Sequence, residues 1–402
     1  MVLSRTTRVN FLIGNGHFLS HFYVLCLPPL FLIWRNAFGV SFAEVGLAVA
    51  LMSGTTAILQ TAVGFLVDRV GARIFLVGGT LLMCLSMAAM GLATSFWQIL
   101  VFAALSGVGN SVIHPCDYAI ITGSVDHERM GSSFSLHTFA GNLGFAAGPP
   151  VMALLAVSIG WRASLMLVGL VGIPVVLAIL LQSAILTDQV HHESQHAGEA
   201  LSGRALLLSR TMVLFFGFYA LGSMAGAGVQ TWLITVLHTV KAMDIALASA
   251  ALTGFMLGTS LGVLFGGWLA DAYRGYLQGL AMGLIIFASA LVLAVALLLL
   301  PAAAVIGLMF VAGLAMGTSR TPRDVMLKEA SPPGQIGKVF GFVSAGLPLG
   351  SALTPVPFGA LIDHHHPELV LILVAALLLG SLLCLSNARA SARVGAVAVA
   401  AE

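Results

Sequence analysis

Charged residues are scarce in this sequence. Asp, Glu, Lys and Arg together make up 8% of its 402 residues, whereas a soluble globular domain carries about 25%. Hydrophobic residues make up 59%, and the mean hydropathy is +1.04. So few charges cannot cover a water-exposed surface, and we therefore predict a polytopic protein embedded in a lipid bilayer. The formal net charge is only +2 and no basic run occurs, so no nucleic-acid partner is expected.

Cysteine is rare as well, and its spacing argues against disulfides and metal sites. The four residues lie singly within apolar segments: Cys26, Cys84, Cys116 and Cys384. The chain also lacks a Gly-Lys-Ser/Thr phosphate-binding loop, a nucleophile elbow and a metal-spaced His–Glu pattern. We therefore expect no cofactor, no metal site and no enzymatic activity. The first apolar run is too long for a signal-peptide core, so the first helix is expected to be retained.

Apolar runs long enough to span a membrane occur twelve times. A span needs about 20 apolar residues, and the runs are 11–34, 44–67, 74–95, 97–122, 131–158, 162–186, 209–238, 245–270, 276–299, 302–324, 337–362 and 368–388. The polar stretch 187–208 separates six spans from six. We therefore predict an all-α membrane protein with helical domains at 1–186 and 209–402, joined by a cytoplasmic linker. The linker histidines are interpreted as solvated side chains rather than metal ligands: His191, His192 and His196.

The distribution of Lys and Arg predicts the orientation. If the N-terminus is inside, twelve basic residues fall on the cytoplasmic side, against Arg35, Arg162 and Lys241 outside. Basic residues accumulate in cytoplasmic loops. Both termini are therefore predicted to be cytoplasmic, in the inner membrane of a bacterium.

A charged turn joins the second and third spans, and the second half of the chain contains a weaker copy. The first copy is Gly-Phe-Leu-Val-Asp-Arg-Val-Gly-Ala-Arg at 64–73, and the second is Gly-Trp-Leu-Ala-Asp-Ala-Tyr-Arg-Gly at 267–275. Their aspartates, Asp68 and Asp271, are 203 residues apart. Four further identities recur at an offset of 206: Gly131, Phe134, Gly144 and Pro149 match Gly337, Phe340, Gly350 and Pro355. Two six-helix bundles related by a parallel repeat place a substrate site between them, near the bilayer midplane.

This turn resembles the loop signature of the major facilitator superfamily of transporters. The resemblance implies that Asp68 locks the cytoplasmic side by meeting a helix of the other half, with Gly64 and Gly71 as packing positions. It assigns the remaining gating residues to Arg69, Arg73 and Asp271. The simpler alternative is that Asp68 and Arg73 only anchor a short interfacial loop.

The fifth span contains a second motif, Gly-Asn-Leu-Gly-Phe-Ala-Ala-Gly-Pro-Pro at 141–150. It resembles the fifth-helix motif of antiporter branches of the superfamily, which implies export. The motif positions are Gly141, Gly144, Gly148 and Pro149. A glycine-rich packing face is the alternative interpretation. Together with His114-Pro115 in the fourth span, the motif is similar to the fosmidomycin-resistance branch, although here Cys116 intervenes and the acid is Asp117.

Ionisable residues within spans are costly and are therefore candidate functional residues. In the resembling family the first, fourth, seventh and tenth helices line the cavity. We predict a substrate-binding set of Arg320, His17, His21, His114, Tyr219 and Gln230, and a proton-coupling set of Asp117, His137 and Asp324. Two structural alternatives stay open. Arg320 could pair permanently with Asp324, and Asp117 could hydrogen-bond to His114 or His137.

The resulting functional prediction is a proton-coupled secondary transporter with alternating access. Arg320 carries a planar, permanently charged fork suited to carboxylate or phosphonate, so the substrate is expected to be a small organic anion or drug-like compound. Export is favoured by the fifth-span motif, and uptake or exchange of an organic anion such as a carboxylate is the alternative. A monomer is expected. Two other classes of function are less favoured. A sensor of transporter ancestry would be expected to carry a long tail or signalling domain. A membrane enzyme would leave the repeat between the two halves unexplained.

Overall fold

A computed structural model of the chain describes residues 4–126, 129–187, 206–331 and 336–399. Most of the linker 187–208 therefore lies outside the described residues, as do the side chains of Asp68 and Asp271. The described part is helical throughout and contains no strand. The N-terminal half comprises helices α1 Arg5–Cys26, α2 Phe31–Phe38, α3 Phe42–Val70, α4 Ala72–Met90, α5 Phe96–Asn110, α6 Ile113–Ser124, α7 Met130–Val171 and α8 Ile173–Leu181.

The C-terminal half repeats this pattern of long helices. It comprises α9 Arg210–Lys241, α10 Ile245–Ala272, α11 Leu277–Leu297, α12 Ala302–Glu329, α13 Ile336–Ser344, α14 Gly346–Leu353, α15 Pro355–Asp363 and α16 Glu368–Val399. Short 3₁₀ turns lie at Pro28–Leu30, Ser183–Ile185 and Arg274–Tyr276.

The number of membrane crossings agrees with the sequence prediction of twelve. Eleven stretches of the described chain are long and apolar enough to span a bilayer. One of them, Ser132–Leu181, has 50 residues, and a straight helix of that length would be about 75 Å long, more than twice the thickness of the hydrocarbon core. The helix breaks at Gly160, where φ is 78° and ψ is 153°. The stretch therefore holds two crossings, which makes twelve and confirms the predicted fold class.

Glycines set the distances between helices inside each half. A Cβ at Gly258 of α10 would collide with the carbonyl oxygen of Phe310 on α12, and a Cβ at Gly313 of α12 would collide with that of Phe255 on α10. In the N-terminal half, α7 approaches α1 in the same way at Gly144, where a Cβ would collide with the carbonyl oxygen of Phe18. Helices in lipid have no hydrophobic drive to associate, so this close backbone contact supplies much of their packing energy.

The two halves touch at the end of the bundle away from the 64–73 turn. The carboxylate of Asp363, at the end of α15, accepts hydrogen bonds from the backbone N–H groups of Phe42 at 2.7 Å and Ala43 at 2.8 Å. These groups belong to the first turn of α3, whose N–H donors have no partner within the helix. Nearby, the rings of Phe31 and Trp232 pack at a centroid distance of 5.1 Å. We call this contact, made by Asp363, Phe42, Ala43, Phe31 and Trp232, the end seal.

Candidate substrate cavity

A cavity of about 590 Å³ lies between the two halves. Its wall includes His21 of α1 and His114 of α6 from the N-terminal half. From the C-terminal half it includes Gln230 of α9 and Arg320 of α12. This volume is within the range that binds small molecules. Four of the six predicted substrate-binding residues therefore share one cavity wall.

The other two predicted substrate-binding residues are not part of that wall. His17 lies one helical turn before His21, with its ring centroid 4.3 Å from that of His21 and 5.0 Å from that of His114. It is 3% exposed and therefore lies directly behind the lining histidines. Tyr219 is also buried and donates a hydrogen bond to Asp324 at 2.6 Å.

The glycines of the fifth-span motif position the histidine cluster. A Cβ at Gly141 would lie 2.5 Å from Cε1 of His17 and 2.7 Å from Nδ1 of His21, so only glycine leaves room for both rings. Gly144 and Gly148 continue the same face, where α7 runs against the backbone of α1. The motif therefore has a local structural role in this protein. It lets α7 approach closely enough for His137 to stack on His17, with ring centroids 3.7 Å apart.

Asp117 and His137 form a buried pair behind the histidine cluster. His137 Nε2 lies 2.9 Å from Asp117 Oδ2, and the two side chains are 2% and 0% exposed. The partner of Asp117 is thus His137 rather than His114, which resolves one alternative that the sequence left open. The second carboxylate oxygen, Oδ1, is buried and has no hydrogen-bond partner. A buried acceptor without a partner is costly, so this oxygen has room for a donor that the described residues do not supply.

Arg320 is a cation without a protein partner among the described residues. No hydrogen bond or ion pair of its guanidinium occurs there, although its side chain lines the cavity. Asp324, the expected structural partner, instead accepts from Arg323 Nε at 2.8 Å and from Tyr219. The guanidinium of Arg323 also lies 3.9 Å from the centre of the Tyr219 ring. The acid near Arg320 is therefore already engaged, and Arg320 faces the cavity unpaired.

The structure adds polar cavity residues that the sequence analysis did not select: Thr56, Gln60, Asn110, Tyr118, Ser223 and Ser351. Two of them could have been found from spacing. Asn110, His114 and Tyr118 are four residues apart, which places them on one helical face. The other polar residues lie on three helices, Thr56 and Gln60 on α3, Ser223 on α9 and Ser351 on α14, and only helix packing brings these helices to the same cavity.

The 64–73 turn forms a tight connection between α3 and α4. Gly71 has φ 100° and ψ 150°, which glycine adopts without strain, and its N–H donates to Val67 O at 2.8 Å. Arg73 Nε donates to the backbone oxygen of Leu186, which ties the turn to the end of the sixth crossing. Arg69 is exposed. A Cβ at Gly64 would meet nothing within 4 Å, so its packing role stays a prediction, as does the gating role of Asp68 and Asp271.

These features define a class of protein. Twelve apolar helices in two repeated halves, with a polar cavity between them, form the architecture of a secondary membrane transporter. The sequence profile of the Major Facilitator Superfamily matches residues 13–251 and 218–397. The chain belongs to the Major Facilitator Superfamily, as the turn motif predicted. It is a multi-pass membrane transporter for a small molecule, not an enzyme.

Several known proteins resemble the whole chain. The fosmidomycin resistance protein of Escherichia coli (strain K12) is 25% identical over 397 residues, covering 92% of this chain and 90% of that protein. The membrane sensor protein UhpC of the same organism is 26% identical over 354 residues, covering 81% and 79%. Among solved structures, a bacterial homolog of the human lysosomal transporter Spinster, in an inward-facing and occupied conformation, superposes with a TM-score of 0.78. It covers 98% of both chains at 14% sequence identity, which is a likeness of fold.

Proposed function

We propose that this protein is a proton-coupled transporter that exports a small organic anion through the cavity between its halves. The observation that carries the proposal is Arg320, a permanent cation on the cavity wall without a partner among the described protein groups. A cation in a membrane interior requires a counter-charge. Because Asp324 is engaged by Arg323 and Tyr219, the counter-charge is assigned to the substrate.

The cavity wall suits an oxyanion. The guanidinium of Arg320 offers paired N–H donors that match the two oxygens of a carboxylate or phosphonate. Gln230 and Asn110 add amide donors on opposite sides of the cavity. His21 and His114 can donate hydrogen bonds from neutral rings. Binding in the cavity engages both halves at once, as alternating access requires.

Asp117 is the proposed proton carrier. Asp117 faces His137 of α7, and His137 in turn stacks on His17 of α1. The titratable neighbour of Asp117 on α6 is Tyr118, whose ring also contacts His137. Protonation of the carboxylate would remove its buried charge and weaken its attraction to His137. Since His137 contacts the histidines that reach the cavity, a change at Asp117 can alter the shape of the substrate site.

Export is the proposed direction, with uptake or exchange as the alternative. Two observations support it: the glycine–proline motif of α7, and the similarity over nine-tenths of the chain to a protein named for resistance to fosmidomycin. Similarity to a membrane sensor keeps signalling as a second candidate. Transport in reconstituted vesicles distinguishes the two, because a sensor need not move its ligand.

The test of the anion site compares two arginines one helical turn apart. Arg320→Lys should lower the affinity for fosmidomycin or citrate by about tenfold or more, since lysine cannot reproduce a bidentate charge-assisted contact worth roughly 1.5–3 kcal/mol. Arg323→Lys is the matched control, because that side chain already has Asp324 as a partner. Isothermal titration calorimetry on the purified parent and the two variants measures their affinities for each anion. The same measurement with a neutral ester of each anion tests whether the negative charge is needed. Equal affinity for acid and ester, or equal affinity of the Arg320→Lys variant and the parent, would contradict the proposal.

A further inference from the structure

Three histidine nitrogens meet beside the cavity without hydrogen-bond partners. They are Nε2 of His17, Nδ1 of His21 and Nδ1 of His114, and each is buried. One ring nitrogen from each of these residues lies within 4.8 Å of the other two. Buried polar atoms nearly always have a partner, because leaving one unsatisfied costs free energy. Three histidines that lie this close together, each with one unsatisfied ring nitrogen, therefore point to a shared partner.

The tautomer of His17 is set by a hydrogen bond on the far side of its ring. Nδ1 lies 2.7 Å from the backbone oxygen of His137, and because a carbonyl can only accept, Nδ1 is the donor. Nε2 of the neutral ring then carries a lone pair that no hydrogen-bond donor engages. Histidines that bind metals are commonly oriented by such a bond from the other nitrogen to a carbonyl oxygen.

We propose that His17, His21 and His114 form a binding site for a divalent transition-metal ion of the Zn²⁺, Co²⁺ or Ni²⁺ class. Imidazole is a preferred ligand of these ions, whereas Ca²⁺ and Mg²⁺ require oxygen ligands, which this cluster lacks. His17 and His21 stand four residues apart on one face of α1, the spacing with which a helix presents two metal ligands. Metal–nitrogen bonds are about 2.0–2.1 Å long, so nitrogens that now lie within 4.8 Å of one another must draw closer together when an ion binds.

Three protein ligands leave the metal with an open coordination position. His21 and His114 line the cavity, so that position faces the substrate. All three ligands are neutral and Arg320 lies on the same wall, so a bound ion adds positive charge to a site that already contains a cation. An anion whose oxygen coordinates the metal while another oxygen pairs with Arg320 offsets part of both charges. This bridging role rests on the proposed function, whereas the metal site itself stands without it.

The full ligand set is not apparent in the sequence. His17 and His21 have a ligand spacing on α1, but His114 is separated from His21 by 93 residues. The site exists because α7 holds α1 through its glycines while α6 brings His114 against the same face.

The experiment first removes six histidines outside the cluster that would compete for the metal ion. Consecutive histidines at 364–366 are exposed, and three more lie in the linker at 191, 192 and 196. The parent protein therefore carries Asn at all six positions. Asn suits residue 365, where φ is 64°, because it tolerates the left-handed region.

Purified parent protein in detergent is titrated with Co²⁺, whose visible absorption reports its coordination geometry, and then with Zn²⁺ in competition. We expect one Co²⁺ per chain with a spectrum of nitrogen ligation. His21→Gln and His114→Gln should each weaken Co²⁺ binding at least tenfold. His114→Cys should restore binding and add a sulfur-to-cobalt absorption, since thiolate is also a ligand of this ion. His238→Gln is the control, because that ring is engaged by Met243 O at 2.8 Å.

His114→Cys also tests whether the loss of Co²⁺ binding in His114→Gln reflects misfolding. The metal site is overturned if the parent binds Co²⁺ no more tightly than His21→Gln and His114→Gln do. Failure of His114→Cys to bind Co²⁺, in protein that melts like the parent, also overturns it.

The anion is tested separately with methylphosphonate, which chelates free metal only weakly. It should tighten Co²⁺ binding by about threefold or more, and Co²⁺ should tighten methylphosphonate binding by the same factor, because linkage is reciprocal. Arg320→Gln should abolish this coupling without weakening the binding of Co²⁺ alone. Co²⁺ binding without coupling would leave the metal site standing and overturn the bridge. Methylphosphonate binding without Co²⁺ binding would leave the proposed function standing and overturn the metal site.

Discussion

At the scale of single residues, pairing decides which ionisable groups are available for function. Asp117 and Asp324 look alike in sequence, since each is an acid near a cavity-lining helix. In the structure Asp117 is fully buried against one histidine and keeps an unsatisfied oxygen, whereas Asp324 is half-exposed and engaged by Arg323 and Tyr219. The two acids are therefore not equivalent candidates. Asp117 is therefore the acid that we propose as the proton carrier, whereas Asp324 already has two protein partners.

Replacing Asp117 separates coupling from binding. Asp117→Asn keeps the shape of the side chain and its contact with His137 but cannot exchange a proton. We expect transport driven by a pH gradient in proteoliposomes to fall at least tenfold, while exchange of substrate across the membrane without a gradient continues. Tyr118→Phe, the next residue on α6, should retain gradient-driven transport. Gradient-driven transport at the parental rate in Asp117→Asn would remove this carboxylate from the mechanism.

At the scale of helices, glycine decides how closely two elements can approach. The fifth-span motif resembles an antiporter signature, and its glycines also pack α7 against α1 and leave room for two histidine rings. The two interpretations of the motif, an export marker and a packing face, are therefore compatible. The glycine repeat between α10 and α12 shows that the same device is used in the C-terminal half.

Two glycine substitutions with different expected effects on stability test whether glycine sets the distance between helices. Gly144→Ala should destabilise the protein by about 1–3 kcal/mol, because its methyl group would collide with the backbone of Phe18 and a well-packed contact must open. Gly64→Ala should be neutral or stabilising by about 0.5–1 kcal/mol, since its methyl group meets no atom within 4 Å and alanine favours the helix. Thermal unfolding of the two variants, followed by fluorescence, compares them directly. A melting temperature of Gly144→Ala equal to the parent's would contradict the packing role.

At the scale of the whole molecule, the end seal holds the two halves together on one side. Asp363 of the C-terminal half occupies the N-terminus of α3, where a negative charge is stabilised by the aligned peptide dipoles. Under the proposed alternating access this side must open, and the carboxylate contact would then break during the transport cycle. The free energy of that contact would therefore bias the equilibrium between the two conformations.

Removing the charge of Asp363 should shift that equilibrium. Asp363→Asn keeps one acceptor oxygen but loses a helix-terminus interaction of about 0.3–1 kcal/mol, which corresponds to a two- to fivefold rise in the population open at this end. Electron–electron double resonance between spin labels at exposed positions 36 and 366 measures the opening. Glu44→Gln is the control, because Glu44 caps α3 within its own half by bonding Ser41. Identical distance distributions for Asp363→Asn and the parent would show that the contact does not bias the equilibrium.

The sequence alone determined the membrane class, the twelve helices, the repeated halves and the family. These follow from hydropathy, run length and short motifs, which are local properties of the chain. The sequence also selected the cavity residues His21, His114 and Arg320, because ionisable groups within apolar spans are rare enough to stand out. The extents of the linker and the gating role of Asp68 stay predictions.

Only the tertiary structure decided which of these residues meet. Whether Asp117 bonds to His114 or His137, and whether Arg320 pairs with Asp324, depends on the rotation of each helix about its axis and on its distance from its neighbours. Those quantities are set by glycine contacts between helices far apart in the chain, such as α1 with α7. The same contacts gather His17, His21 and His114 around one point. A helix pattern in sequence identifies a face, and only packing against another helix determines what that face touches.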